Sequence, residues 1–163
     1  MPAGEADVKV RRMVQADLPK LTEIDRLLEG EHRVSTWPFS FQSYWDVYHP
    51  ELTFVAEIGN KPVGFLVGYV KAVEGTHSIL RRADMQVMPP TQHQRVGWIE
   101  MIGVHPDAQH KGVGRVLVDA FYAECRRNDA MLQCLVRLSD SRLAGFYSRL
   151  GFRPWDTVIY TKD

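Results

Sequence analysis

Alternating apolar and polar residues open the chain, over 8–14, in the pattern typical of a half-buried strand. Asp17 then supplies an N-cap residue and Pro19 a first-turn proline, which together indicate the start of a helix. Apolar residues recur at helical spacing after this point and would form one buried face: Leu18, Leu21, Ile24, Leu27 and Leu28. The sequence therefore predicts a strand followed by an amphipathic helix that ends near Gly30.

Two apolar runs, over 53–58 and 63–70, are separated by a short polar step. Gly59 and Asn60 lie in that step, and both residue types accept the positive φ that a tight hairpin turn requires. A short helix is predicted before the first run, beginning near Ser40. This part of the chain is therefore predicted to be a helix followed by an antiparallel pair of strands.

The second half of the chain changes from strand to helix and back to strand. A strand is predicted over 96–104, a helix over 112–127 and a compact apolar strand over 132–138. The order strand, glycine loop, helix, strand is typical of a parallel crossover unit. A further helix is predicted over 142–150, with Gly151 as the residue that ends it.

The two halves together indicate one α/β (α+β) domain over residues 1–163, with a mixed central sheet and helices on both faces. The N-terminal half of the sheet would be antiparallel and the C-terminal half βαβ-like, with a last strand over 158–161. Residues 71–95 mix glycine, prolines and charges with short apolar pieces and predict no element. A chain of 163 residues with 45% hydrophobic content is sufficient for one core and short for two.

Charge and hydropathy exclude several classes of partner. Lysine plus arginine and aspartate plus glutamate number 20 each, so no overall charge attracts nucleic acid or an anionic membrane surface. No apolar run approaches the length of a membrane span, and the first seven residues lack the features of a secretory signal. We therefore expect a cytoplasmic protein without nucleic-acid or membrane partners.

Residues that commonly bind metals are too few or too scattered to indicate a metal site. The two cysteines, Cys125 and Cys134, fall in a predicted helix and a predicted strand and form no disulfide framework. The six histidines lack the paired helical spacing of a zinc site. We expect no metal, and two reduced cysteines with structural roles.

The loop before the helix predicted over 112–127 combines glycines with positive charge, and its residues are Gln109, His110, Lys111, Gly112, Val113, Gly114 and Arg115. A helix N-terminus leaves backbone N–H groups unpaired and carries partial positive charge, so it can receive a phosphate. Gly112 and Gly114 remove Cβ atoms that would obstruct the approach. Lys111 and Arg115 add positive charge at the same place. The sequence therefore predicts a phosphate site in this loop.

Other loops that contain paired glycines need to be distinguished from this one. Two glycines can simply relieve a tight turn from strand to helix, an interpretation that these residues alone leave open. A Walker-type loop ends in Gly-Lys-Ser/Thr, whereas Val113 and Gly114 follow Gly112 here. A dinucleotide-binding loop needs a third glycine three residues after Gly114, where Leu117 stands.

The pattern Gln109-x-x-Gly112-x-Gly114 resembles the pyrophosphate loop of the GNAT acetyltransferases. The segment 102–106 before it is similar to that family's central strand and its exit. The segment 143–152, in which a tyrosine precedes a Gly-Phe pair, is similar to the family's later helix. Three segments in the right order make the match more specific than one motif. They imply a GNAT-like fold and acetyl-CoA as the acyl-donor cosubstrate.

The resemblance also implies how acetyl-CoA would be held. The backbone N–H groups from Gln109 to Arg115 would bind the pyrophosphate. The pantetheine arm would pair with exposed backbone of the central strand, at Ile102, Gly103 and Val104. Asp140 stands where the family frequently has an asparagine that contacts this arm, and an ionised carboxylate can accept a hydrogen bond there but not donate one.

Two residues become candidates for proton transfer under the same resemblance. Glu100 interrupts a strand that is apolar on both faces, where a carboxylate either pairs with a cation, lines a wet cleft or accepts a proton. An acidic residue on this strand often serves the family as general base, and Glu100 would do so through water. Tyr147 would protonate the leaving thiolate. Structural roles, an ion pair for Glu100 and core packing for Tyr147, remain the alternatives.

The implied reaction is transfer of an acetyl group from acetyl-CoA to a primary amine of a small molecule, peptide or protein, without a covalent enzyme intermediate. A non-catalytic acyl-CoA-binding protein and a dinucleotide-binding domain are the alternatives. No motif identifies the amine, and a homodimer is a candidate assembly. Acidic and aromatic residues of the first half could surround a cationic acceptor or belong to the core: Glu29, Glu31, His32, Trp37, Phe39 and Trp45.

Overall fold

The computed structural model of the chain describes residues 7–28, 34–35, 40–48, 51–72 and 93–155. The strands among them are β1 Val8–Arg12, β2 Val34–Ser35, β3 Leu52–Ile58, β4 Lys61–Ala72, β5 Arg95–Val104 and β6 Ala130–Cys134. The α-helices are α1 Leu18–Leu27, α2 Phe41–Tyr48, α3 Val113–Arg127 and α4 Ser141–Arg149. Two 3₁₀ turns, Gln15–Asp17 and Pro106–Ala108, precede α1 and the loop before α3.

The described strands form one mixed sheet in which β1, β3, β4 and β5 follow one another as antiparallel neighbours. The other edge of β5 is shared, because β6 pairs with its first half in parallel and β2 with its second half antiparallel. The unit β5–α3–β6 is the predicted parallel crossover. The predicted fold class, antiparallel in its first half and βαβ-like in its second, is therefore confirmed.

Helices cover both faces of the sheet, and each face has its own core. On one face, α3 and α4 pack over β4 and β5 around Leu117, Phe121 and Tyr147. On the other face, α1 and α2 pack over the same strands around Ile24 and Phe41. We call these the α3–α4 face and the α1–α2 face.

The hairpin between β3 and β4 forms where the sequence predicts it, with φ of 57° at Gly59 and 62° at Asn60. Most other element bounds agree within a few residues. The strand predicted over 132–138 is displaced, since β6 covers Ala130–Cys134. The strand β2 is not predicted by the sequence pattern at all. The strand predicted over 158–161, like residues 73–92, lies outside the described residues.

Two predictions about the first helix need correction. Asp17 occupies the N-cap position of α1, but its carboxylate accepts hydrogen bonds from Arg11 at 2.7 and 2.8 Å and from the Val14 N–H at 2.8 Å. The Arg11 guanidinium holds the pKa of the Asp17 carboxyl below its usual value. Leu27, predicted on the buried face, is 49% exposed. Asp17 therefore ties the start of α1 to β1 instead of capping the helix.

Candidate active site

The pairing between the two parallel strands stops halfway along β5. The last pair is Ile99 with Cys134, after which β6 ends and Leu135 is 60% exposed. On the opposite edge of β5, Gly68 pairs with Ile99 and Val67 with Met101, so Glu100 is an additional residue. This is a β-bulge, and such bulges bend a strand and re-aim its side chains. Glu100 therefore lies where β5 parts from β6.

The edge of β5 beyond this point is where the resemblance places the pantetheine arm. Part of it is occupied, because β2 pairs Val34 with Ile102 and Ser35 with Met101. The carbonyl of Val104 also accepts a hydrogen bond from Nε2 of Gln109 at 3.2 Å. A ligand arm along this edge would therefore meet β2 at Ile102 and the Gln109 side chain at Val104.

Gly103, the third residue predicted for this edge, is a glycine for a packing reason. A Cβ at Gly103 would lie 2.7 Å from Cε1 of Phe65 and 3.0 Å from Cδ1 of Leu28. Real Cβ atoms do not come that close, so the side chains on the α1–α2 face exclude any larger residue. The close contacts at Gly103 are thus made by the side chains of Phe65 and Leu28.

The predicted phosphate loop leads into an open helix N-terminus. Gly112 is the N-cap of α3 with φ of 81°, and no heavy atom lies within 4 Å of a Cβ built there. His110 also has a positive φ, 61°. Lys111 is exposed, and Nε of exposed Arg115 lies 3.7 Å from Oδ2 of Asp119, a weak surface pair. The loop therefore leaves space and positive charge at the N–H groups of the first turn.

The second glycine of the loop also has a packing role, which the sequence did not predict. A Cβ at Gly114 would point at the ring of Phe146, 3.2 Å from its Cζ. The contact lies between α3 and α4, inside the α3–α4 face. Gly112 is therefore required by the backbone turn, whereas Gly114 lets the start of α3 pack against α4.

Asp140 is the N-cap of α4. Its Oδ1 accepts a hydrogen bond from the backbone N–H of Leu143 at 2.9 Å, the usual geometry of an aspartate cap. The resemblance to the family predicted that Asp140 contacts the pantetheine arm. In the structure this carboxylate already satisfies the first turn of its own helix.

Glu100 lies on the α1–α2 face. A Cβ at Gly68 would point at Phe121 of α3, so the adjacent Tyr69 points to the opposite face. The Tyr69 hydroxyl donates a hydrogen bond to the Glu100 carboxylate, and Tyr69 pairs across the sheet with Trp98. Burial, together with the negative charge of Glu100, raises the pKa of Tyr69 to about 12. Sequence reasoning missed Tyr69, because its side chain simply continues the alternation of β4.

Tyr147 lies on the α3–α4 face and is only 3% exposed. Its ring is between those of Phe146 and Phe152, with centroids 5.2 and 5.0 Å away. Its hydroxyl is a hydrogen-bond partner of the Cys134 thiol. Burial raises the pKa of Tyr147 above its usual value and that of Cys134 to about 12.

Cys134 is the second residue that sequence reasoning missed. It was predicted to have only a structural role, yet it pairs with Ile99, next to Glu100, and contacts Tyr147. Only the register of β5 on β6 brings these residues together. Glu100 and the Tyr147–Cys134 pair therefore lie on opposite faces of the sheet, at the level where the parallel pairing ends.

Among the residues that the structure describes, no group of three or more histidine, cysteine, aspartate or glutamate side chains could hold a metal ion. The described helices also include none that is long and apolar enough to cross a membrane. Of the acidic and aromatic residues considered for the acceptor, Trp45 alone falls within these ranges, and it is partly buried in α2.

Residues 20–152 match the model of the acetyltransferase (GNAT) family. The match spans the sheet except for β1, both helical faces and every candidate site residue named above. Among curated proteins, none matches this chain significantly in sequence.

Solved structures with the same fold are acetyltransferases. The aminoglycoside N-acetyltransferase AAC(6')-Iy in complex with CoA superposes with a TM-score of 0.70 at 15% identity, over 100% of this chain and 98% of that one. The aminoglycoside 6'-N-acetyltransferase AAC(6')-IG from Acinetobacter haemolyticus gives 0.68 at 16%, over 95% and 97%. The ribosomal-protein-S18-alanine N-acetyltransferase from Escherichia coli gives 0.63 at 22%, over 90% and 77%.

Proposed function

This chain belongs to the GNAT family of acetyltransferases, and we propose that it transfers the acetyl group of acetyl-CoA directly to a primary amine. One observation carries the proposal. A carboxylate, Glu100, and a phenol, Tyr147, approach from opposite faces the point where β5 parts from β6. An amine on the α1–α2 face and a thioester on the α3–α4 face could meet there without a covalent enzyme intermediate.

The loop from Gln109 to Arg115 would hold the donor. Its fit to a pyrophosphate rests on the open space at Gly112, the N–H groups of the first turn of α3 and the charges of Lys111 and Arg115. One structure with the same fold contains CoA, which supports this choice of donor. The backbone of β5 near Gly103 would then guide the arm, displacing or extending β2.

Glu100 would accept the proton of the amine, through water. A lysine-like amine has a reference pKa of about 10.4 and attacks a thioester only when unprotonated, so at neutral pH it needs a base. The carboxylate is partly buried on the face opposite the proposed donor, which is the side from which an amine would attack.

Tyr147 would give a proton to the departing thiolate. Its raised pKa keeps the hydroxyl protonated at all physiological pH values, so it remains a donor. A CoA thiolate resembles that of cysteine, with a reference pKa of about 8.5, and leaves fairly well unaided. We therefore assign Tyr147 a contributing role in the reaction, at the lower end of the range typical of general acids.

The acceptor is proposed as a primary amine of a small molecule, a peptide or a protein. The structural relatives include enzymes for aminoglycosides and for the alanine of a ribosomal protein, so the fold serves both kinds. A non-catalytic acyl-CoA-binding role is the second candidate. The burial of Tyr147 favours it, because a buried hydroxyl bonded to Cys134 can be a packing feature.

Replacement of Glu100 by glutamine tests the proposal. Release of CoA thiol with a panel of amines should fall about 10²-fold at neutral pH and less at high pH, where the amine loses its proton unaided. Glu51→Gln, at an exposed glutamate outside the site, is the matched control. An equal loss at every pH would contradict the role of Glu100 as base. If the wild-type protein bound acetyl-CoA but turned over none of the amines, the non-catalytic acyl-CoA-binding role would be favoured.

A further inference from the structure

The bulge at Glu100 has two consequences for the direction of this side chain. It aims a carboxylate out of a strand that is otherwise apolar, at the point where β6 leaves. It also removes the cross-strand partner that would normally fix the direction of a side chain in a sheet. A residue that accepts a proton in a defined geometry must have its side chain restrained, because small displacements from the reactive arrangement are costly.

Tyr69 supplies such a restraint from the neighbouring strand. It lies on the same face as Glu100, and its hydroxyl donates to the carboxylate. The raised pKa of Tyr69, about 12, means that this hydroxyl remains a donor across the working pH range. Lys71 makes a cation–π contact with the same tyrosine, since its Nζ lies 5.7 Å from the centroid of the Tyr69 ring.

We propose that Tyr69 is a positioning residue, whose hydroxyl holds the Glu100 carboxylate in the orientation that receives the proton of the amine. This inference rests on the proposed function of Glu100. A carboxylate has about four lone-pair sites on two oxygens, so it can keep the bond from Tyr69 and still accept a proton. Tyr69 itself neither gains nor loses a proton in the reaction.

A packing role is the competing explanation. Tyr69 is partly buried, pairs with Trp98 across the strands and would contribute to the sheet through its ring alone. The two explanations differ in the hydroxyl. Tyr69→Phe retains the ring and removes only the donor, so a packing residue should tolerate the change.

The test is a double-mutant cycle with Tyr69→Phe, Glu100→Gln and the combined variant. Alone, Tyr69→Phe should lower kcat about 10-fold and leave the KM for acetyl-CoA unchanged, since a hydrogen bond to a charged group is lost. In the Glu100→Gln background the same change should lower kcat less than about 2-fold, because the group it orients is gone. Tyr122→Phe, at an exposed tyrosine of α3, is the matched control and should match the wild type.

The outcomes separate the inference from the function on which it rests. Wild-type kcat in Tyr69→Phe, or an equal loss in both backgrounds, would overturn the role of Tyr69 while leaving Glu100 in place. Wild-type turnover in Glu100→Gln would instead remove the base, and the positioning role with it. Glu100→Asp gives an answer that does not depend on the folding of any Tyr69 variant. This variant keeps the carboxylate but withdraws it from the Tyr69 hydroxyl, so it should lose nearly as much activity as Glu100→Gln. Nearly full activity in Glu100→Asp would contradict the positioning role of Tyr69.

Discussion

The two faces of the sheet hold their reactive groups in different ways. On the α3–α4 face, Tyr147 is enclosed by two aromatic rings and bonded to a thiol, in packing that leaves it 3% exposed. On the α1–α2 face, Glu100 stands in a bulge and is held by the Tyr69 hydroxyl. The donor side is thus built from one continuous stretch of chain, whereas the acceptor side combines strands from both halves. Rigid burial suits the leaving-group side, and a polar restraint suits the side that must admit an amine.

The largest effect expected on the α3–α4 face is the suppression of thiol reactivity. Burial raises the pKa of Cys125 to about 11 and that of Cys134 to about 12, so at pH 8 either thiolate is scarce. In the folded protein, both thiols should react with an aromatic disulfide reagent roughly 10²–10³-fold more slowly than a free thiol. After denaturation, both should react at the rate of a free thiol. Rapid labelling of Cys134 in the folded protein, blocked by acetyl-CoA, would point to a covalent route instead of direct attack.

Tyr147→Phe addresses the leaving group and should cost about 10²-fold in turnover, the lower end of the range for general acids. The ring stays between Phe146 and Phe152, so the fold should persist. Affinity for acetyl-CoA, measured by calorimetry, should hardly change. Turnover equal to that of the wild type would assign Tyr147 to the core alone, and the α3–α4 face would then contribute binding without proton transfer.

Gly112→Asp tests the open N-terminus of α3, with Gly112→Asn as a control of nearly identical shape. Both side chains meet the same positive φ and the same open space, so the backbone strain is shared. The carboxylate alone should repel a pyrophosphate and weaken acetyl-CoA binding roughly 10- to 100-fold relative to asparagine. Saturating acetyl-CoA, at about 100 times its Kd, should stabilise the wild type by about 2.7 kcal/mol. Equal stabilisation of both variants would refute the phosphate site.

The smallest effect is expected at Asp140. This residue caps the N-terminus of α4, whereas the N-terminus of α3 at Gly112 is open. Asp140→Ala should reduce the free energy of unfolding by about 1 kcal/mol, whereas Asp140→Asn should match the wild type, because asparagine also caps helices. Chemical denaturation measures both values. If Asp140→Asn instead changed acetyl-CoA affinity and left stability untouched, contact with the pantetheine arm would be its main role.

Motifs that are continuous in the chain could be predicted in detail. The loop at Gly112 and the crossover around it were predicted from local spacing, and the family match confirms the assignment to the family. The packing role of Gly114 was not predicted, because it depends on where Phe146 of another helix lies. The end of β6 was also misplaced, since apolar residues at 135 and 138 suggest a strand that the parallel pairing does not continue.

By itself, the sequence determined the order of most elements and the mixed sheet, which depend on periodicity and short-range spacing that a chain carries locally. It also predicted a phosphate loop, and the resemblance to the family singled out Glu100 and Tyr147 as candidates. Only the tertiary structure decided that the two candidates lie on opposite faces, and that Tyr69 and Cys134 are their hydrogen-bond partners. Those relations depend on strand register, where one residue more or less reverses the face of every side chain that follows. The bulge at Glu100 is such a residue, and it depends on how β4 and β5 pair.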